Sequence, residues 1–233
     1  MKKTALFSIL VIFLLVPLTL FFGSKIRGRW YYLTCTLVMI ETMLPFFFSF
    51  EARKPRPREL VMIAVMAALA AVSRIAFAFI PYFRPIIGII MISGIAFGAE
   101  AGFLTGAIGV FASNFFYSQG PWTPWQMFAY GFAGFLAGSV FYKHRTWCKP
   151  WILAPFGFLS LLLIVGPILD TCSVFTMLTK LTKASVLLIY GQGIPVNIAH
   201  GVACAVTLVL FGPPLLKKLD RLKLKYGMME GRS

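Results

Sequence analysis

Asn114-Phe-Phe-Tyr-Ser-Gln-Gly-Pro-Trp-Thr-Pro-Trp-Gln126 separates two apolar helical runs and fixes how the rest of the chain is read. Two prolines three residues apart cannot continue a helix interior, and Gly120-Pro121 is a turn signal. The stretch therefore marks where one membrane span ends and the next begins. Trp122 and Trp125 are amphipathic rings of the kind that settle at a membrane–water boundary. Asn114, Gln119 and Gln126 bring neutral donors and acceptors that suit a polar ligand. The residues alone leave two readings open, a turn with an aromatic belt or the roof of a binding pocket.

The composition decides the solvent. Of 233 residues, 59% are hydrophobic and only 12% charged, so the chain reads as an integral membrane protein. A net charge of +15 would point to nucleic acid in a soluble chain, but here the basic residues sit in short segments between apolar runs, as in cytoplasmic loops. Nucleic-acid binding is set aside on that ground. Cys35, Cys148, Cys172 and Cys204 show no metal-ligand spacing, and no disulfide can be argued.

Working outward, Thr4 to Phe22 reads as an uncleaved helix after a basic start, and Tyr31 to Phe50 as a second span with Glu41 near its middle. Glu41 is either a functional carboxylate or one neutralised within the bundle. Glu51 to Arg58, with two prolines and four basic residues, reads as a hydrated linker. The expected organisation is a two-helix extension at 1–50, a linker at 51–58, a core at 59–216 and a basic tail at 217–233.

Core helix one is expected over Glu59 to Ile80, with Ala64, Ala67, Ala68 and Ala71 forming a small-residue stripe. Arg74 lies two-thirds of the way along it, a depth that costs roughly 2.5–3.5 kcal/mol without a partner. Bundle pairing and ligand contact are both open for Arg74. Arg84, in the Pro81–Pro85 turn, reads as a solvated loop charge. Ile86 to Phe97 is too short to cross a bilayer upright, and Gly94, Gly98, Gly102 and Gly106 recur every four residues, as close helix crossings require. Glu100 reads as a helix N-terminal charge. Gly131, Gly134 and Gly138 mark a packing face on helix four, expected from Trp125 to Tyr142. Helix five is expected from Trp151 to about Leu169, then a polar, threonine-rich stretch from Asp170 to Lys183 that reads as an external loop or short surface helix. Helix six, from Leu187 to Phe211, is expected to break near Gly191-Gln-Gly-Ile-Pro195, exposing backbone groups toward a cavity. Asn197 and His200 follow on the same side, open either as structure or as ligand contacts.

Charge sets the expected orientation. The linker has four Lys/Arg, the 143–149 loop three, and the tail six (Lys217, Lys218, Arg221, Lys223, Lys225 and Arg232), against Arg84, Lys180 and Lys183 on the opposite side of the core. The positive-inside rule then puts the C-terminus in the cytoplasm and the tryptophan loop outside. Lys25, Arg27 and Arg29 dissent, falling on the external side.

Several stretches share a resemblance. Gln119-Gly-Pro-Trp-Thr-Pro-Trp-Gln-Met127 resembles the loop between the third and fourth core helices of one group of energy-coupling factor (ECF) transporter S-components. Arg58-Glu-Leu-Val with the alanine-rich Ala64 to Ala71 resembles the first core helix of such a protein. Gly94-Ile-Ala-Phe-Gly-Ala-Glu-Ala-Gly102 is similar to the turn from helix two to helix three, and Gly212-Pro-Pro-Leu-Leu to the exit from the last helix.

The resemblance implies an all-α integral membrane protein, a six-helix S-component-like core preceded by two extra transmembrane helices. It implies a substrate-binding subunit in the plasma membrane, working with a transmembrane coupling subunit and two cytoplasmic ATPases. The alanine face would dock on the coupling subunit, and the ligand would be a vitamin, with a corrinoid such as cobalamin the expected member. The pocket residues expected are Asn114, Gln119, Trp122, Trp125, Gln126, Asn197 and His200, with Arg74 beside them. Aromatic rings and neutral amides suit a large heterocycle.

Other classes are less well supported. No GxxxxGK[ST], HExxH, GxSxG or CxxC occurs, and the seven carboxylates form no close pair. Neither catalysis nor a metal or cofactor is expected. A stand-alone secondary transporter would be expected to show an internal repeat with matching broken helices. A lipid-acting membrane enzyme would want paired carboxylates or a His/Asp cluster near the interface.

Overall fold

The computed structural model describes residues 2–25, 31–178 and 181–227. Arg27, Arg29, Lys180 and Arg232, which entered the charge reading, lie outside the described residues. Every regular element among the described residues is helical. The chain runs α1 (Lys2–Leu10) and α2 (Val16–Lys25), joined by a π-helical turn at Val11–Leu15, then α3 (Tyr31–Ala52), α4 (Pro57–Ala76) and α5 (Ile86–Phe97). It continues through α6 (Ala99–Tyr117), α7 (Thr123–Phe141), α8 (Pro150–Ser160), α9 (Gly166–Met177) and α10 (Lys183–Lys225), with a second π-helical turn, Leu161–Val165, between α8 and α9. Among the described residues five stretches are long and apolar enough to cross a membrane, including Leu6–Gly23 and Pro150–Met177.

The core is built around α5. Its 12 residues are all buried, and at 1.5 Å per residue they cover about 18 Å, less than a bilayer's hydrocarbon core. A helix this short and apolar on every side is stable only when other helices wrap it, and α4, α6, α7 and α10 do so. Gly98, at φ 99°, turns the chain straight from α5 into α6, a conformation that L side chains rarely adopt.

Contact between α6 and α7 uses the two glycine series predicted from spacing. A methyl group placed on Gly106 would sit 2.6 Å from the Gly131 nitrogen, and one on Gly138 would sit 2.6 Å from the Ala99 Cα. Gly94 and Gly102 both abut Gly134. Close backbone approach of this kind is what small residues provide in membranes, where the hydrophobic effect does not drive helices together. One buried polar pair, Ser93 with Thr105 at 2.8 Å, ties α5 to α6.

The N-terminal helices belong to the same packed body. Phe46 of α3 stacks on Phe103 of α6 at 4.1 Å between centroids and meets Phe128 and Phe135 of α7 edge-on. Arg53 pairs with Glu100, and Thr19 of α2 donates a hydrogen bond to Glu41 of α3. The expected linker is shorter than read. Helix α3 continues to Ala52 and α4 starts at Pro57, because Pro is tolerated in a first helical turn.

Of the two readings of the stretch from Asp170, helix is the one found, as far as Met177, with hydroxyls satisfied by carbonyls one turn earlier, Thr171 to Pro167 and Ser173 to Leu169. Two further expectations are corrected. The break near Gly191–Pro195 does not occur. Helix α10 runs unbroken for 43 residues through Pro195, Pro213 and Pro214, starting at a capping box between Thr182 and Ser185. Each proline removes one helical donor, but so long an apolar helix retains enough bonds on either side to continue. The first part of the tail is helical as far as Lys225, held by Arg145–Asp220 and by Lys223 donating to the Ala96 carbonyl. Finally, the alanine stripe splits. Ala67 and Ala71 are buried, with Gly109 of α6 against Ala67, so they cannot meet a partner; Ala64 and Ala68 are exposed beside Val61, Val65 and Val72.

Gly131→Leu is expected to force α6 and α7 apart and cost at least about 1–3 kcal/mol. The check is a lower Tm in detergent than that of Gly191→Leu, because Gly191 has open space around it.

Candidate functional site

The end of the bundle away from the Arg53–Glu100 and Arg145–Asp220 pairs holds a polar network around Arg74. Arg74 projects from the last turn of α4 and is 2% exposed. Its Nη1 donates to Ser113 Oγ at 2.6 Å and to Asn114 Oδ1 at 2.7 Å, both on α6. Its guanidinium carbon lies 4.5 Å from the centroid of the Tyr117 ring, whose hydroxyl donates back to the Arg74 carbonyl at 2.9 Å. Hydrogen bonds to a charged group are worth about 1.5–3 kcal/mol each, enough to hold a guanidinium at this depth.

Asn114 passes the network on. Its amide nitrogen donates to Gln126 Oε1 at 2.8 Å and to Thr123 Oγ1 at 3.2 Å, and Thr123 donates to Gln119 Oε1 at 2.9 Å. Gln119 also caps the α6 end by donating to the Phe111 carbonyl. The turn that makes this possible leaves α6 through Ser118, a non-glycine residue at φ 77°. Gln126 then lines a cavity of about 260 Å³ with Trp122 of the turn and Leu169, Cys172, Ser173, Thr176 and Met177 of α9.

The predicted residues are only partly brought together. Arg74, Asn114, Gln119 and Gln126 form one continuous network, and Trp122, 39% exposed, stands at the cavity wall. Trp125 is 3% exposed and packs on Phe175, so it supports the turn from within and is not an open ligand platform. Asn197 is engaged elsewhere, donating to Asp170 Oδ2 at 2.8 Å. His200 has its Nε2 buried without a hydrogen-bond partner.

Four residues that matter here were not predicted. Ser113 and Thr123 carry the links between predicted residues, Tyr117 shelters the guanidinium, and Arg84 lies 4.7 Å from the same Tyr117 ring. The Gln119-x-x-x-Thr123 spacing was the available signal for Thr123; nothing local distinguishes Arg84 from a loop charge. Among the described residues no group of three or more His, Cys, Asp or Glu side chains could hold a metal ion. Cys148, in the α7–α8 loop, has its thiol pushed up by burial.

A short, fully buried helix wrapped by longer apolar ones, with a buried polar network at one end opening on a small cavity, defines a membrane-embedded binding protein. The family model described as ECF-type riboflavin transporter, S component, matches residues 55–221, and the chain belongs to that family. Membership makes it a substrate-binding subunit of an ECF transporter, not a catalytic one, associated with a T component and ATPases. No curated protein and no solved structure matches the chain.

Asn114→Leu is expected to leave a buried guanidinium short of an acceptor and cost about 3–5 kcal/mol. Arg74→Met with Asn114→Leu together should cost less than Asn114→Leu alone, because no buried charge remains. Chemical or thermal unfolding of the two variants in detergent makes the comparison.

Proposed function

We propose that this chain captures a flavin, riboflavin in the first instance, at the end of the bundle that carries the 118–126 turn, and passes it to an ECF module for ATP-driven uptake. The observation that carries this reading is the hydrogen-bonded run from Arg74 through Asn114 to Gln126, which ends at a cavity walled by Trp122. A flavin ring presents a flat face for stacking and an edge of alternating carbonyls and N–H groups. Gln126 offers its amide for that edge, and Trp122 offers a face. The family description, which names riboflavin, supports a flavin; nothing in it supports the corrinoid expectation.

The same reading gives residues 1–50 as an extension and 59–216 as the binding core, supported by a family match that begins at residue 55. It puts the turn outside and the C-terminus in the cytoplasm. Contacts that gather the basic segments at the opposite end, Arg56 and Arg58 with the carbonyls of Gly227 and Tyr226, Arg53 with Glu100, and Arg145 with Asp220, support that orientation. The coupling subunit would meet the exposed row of α4 that carries Ala64 and Ala68, where small side chains permit close approach.

Detergent-purified protein titrated with riboflavin should quench flavin fluorescence at saturable stoichiometry. Gln126→Leu should weaken binding at least tenfold, about 1.4 kcal/mol. A bound corrinoid, or no flavin binding at all, overturns the substrate. Ala68→Trp should reduce co-purification with T component and ATPases while leaving riboflavin affinity within about twofold; undiminished assembly would move the docking face elsewhere.

A further inference from the structure

Two guanidiniums, those of Arg74 and Arg84, converge at the binding end on one aromatic ring. Arg74 and Arg84 lie 4.5 and 4.7 Å from the centroid of one tyrosine ring, that of Tyr117. The ion pairs found among the described residues are Arg53–Glu100 and Arg145–Asp220, both at the other end of the bundle. Among the described residues neither Arg74 nor Arg84 has a carboxylate within ion-pairing distance. Asp170, the acid on neighbouring α9, accepts a hydrogen bond from Asn197 and forms no ion pair with either guanidinium.

Two polar atoms here are buried with no hydrogen-bond partner, Arg74 Nε and His200 Nε2. Arg74 is 2% exposed, and its Nη1 is already committed to Ser113 and Asn114. Two guanidiniums on one ring repel each other, and that repulsion is strong where water is excluded. Tyr117 offsets part of it through its π face, but a phenol ring carries no net charge. A protein keeps such an arrangement when something else supplies the negative charge, and planar guanidiniums match the oxygens of phosphate and carboxylate groups.

We infer that the site takes a ligand bearing an oxyanion, a phosphate monoester or a carboxylate, which sits against Arg84 and the free edge of Arg74. This rests on the flavin-binding reading for the location of the site and goes beyond it in the chemistry of the ligand. The phosphorylated flavin is then a better ligand than the neutral one. Arg84, on the turn between α4 and α5, confers the preference; Arg74 is bound into the network and chiefly holds position.

The test has two arms that do not depend on each other. In the first, the full-length protein in detergent is heated in inorganic phosphate, acetate or chloride at matched ionic strength. Phosphate or acetate should raise Tm above chloride in the parent protein and not in Arg84→Gln, and whichever of the two does so identifies the oxyanion. In the second, the protein is titrated with riboflavin and with riboflavin 5′-phosphate by fluorescence quenching. The phosphate ester should bind at least tenfold tighter, and Arg84→Gln should erase that margin. Arg84→Lys, which keeps the charge, should retain part of the preference. Equal or weaker binding of the ester, with no anion effect on Tm, overturns the inference and leaves riboflavin binding standing. An anion effect on Tm without binding of either flavin does the reverse: the oxyanion site stands and the flavin reading falls.

Discussion

Everything in this fold depends on how closely α6 can lie against α7. Lipid tails are as apolar as leucine side chains, so helices in a bilayer gain little by hiding apolar surface from their surroundings and much by close contact. Gly102, Gly106, Gly131 and Gly134 bring the two backbones together where any larger residue would collide with main-chain atoms. That contact leaves room for α5 beneath them, a helix too short to span a bilayer and buried throughout. It also sets the turn at the far end, since the Asn114 and Gln126 side chains meet only when α6 and α7 are held at this spacing.

The site extends the same geometry into chemistry. A buried guanidinium fixes the end of α4 to α6 through Ser113 and Asn114, and Asn114 hands the network to the first turn of α7. Residues near a ligand are thus positioned by helices on three sides, which limits their freedom before anything binds. The cation that does this is not neutralised by a carboxylate, and a second cation shares its aromatic neighbour. The Nε of Arg74 is left without a hydrogen-bond partner, so the network does not use every donor it buries.

At the opposite end the logic is different. Ion pairs and carbonyl contacts there join the end of α3, the α5–α6 turn, the α7–α8 loop and the tail of α10. These groups are partly exposed, so their charges are satisfied cheaply by water as well as by each other. The N-terminal helices, which lie outside the matched family region, are nevertheless fastened to the core by the Phe46–Phe103 stack and the Arg53–Glu100 pair.

Much of this was legible in the chain itself. Composition made it a membrane protein, glycine spacing marked the faces of α6 and α7, and the paired prolines of 121–124 located the turn that carries the site. These are local properties, written in a few consecutive residues. What sequence misjudged was where helices stop. Pro195 reads as a break and Gly212-Pro-Pro as the exit from the last helix, yet all three prolines lie inside α10, because neighbouring turns keep the bonds that each proline does not remove. Sequence also could not divide the alanine stripe, since only the approach of Gly109 to Ala67 decides which alanines are buried. Nor could it show that Arg84 and Arg74 share one tyrosine ring or that Asn197 is taken by Asp170. Those pairings join residues far apart in the chain, and they exist only once helix packing has set the distances between them.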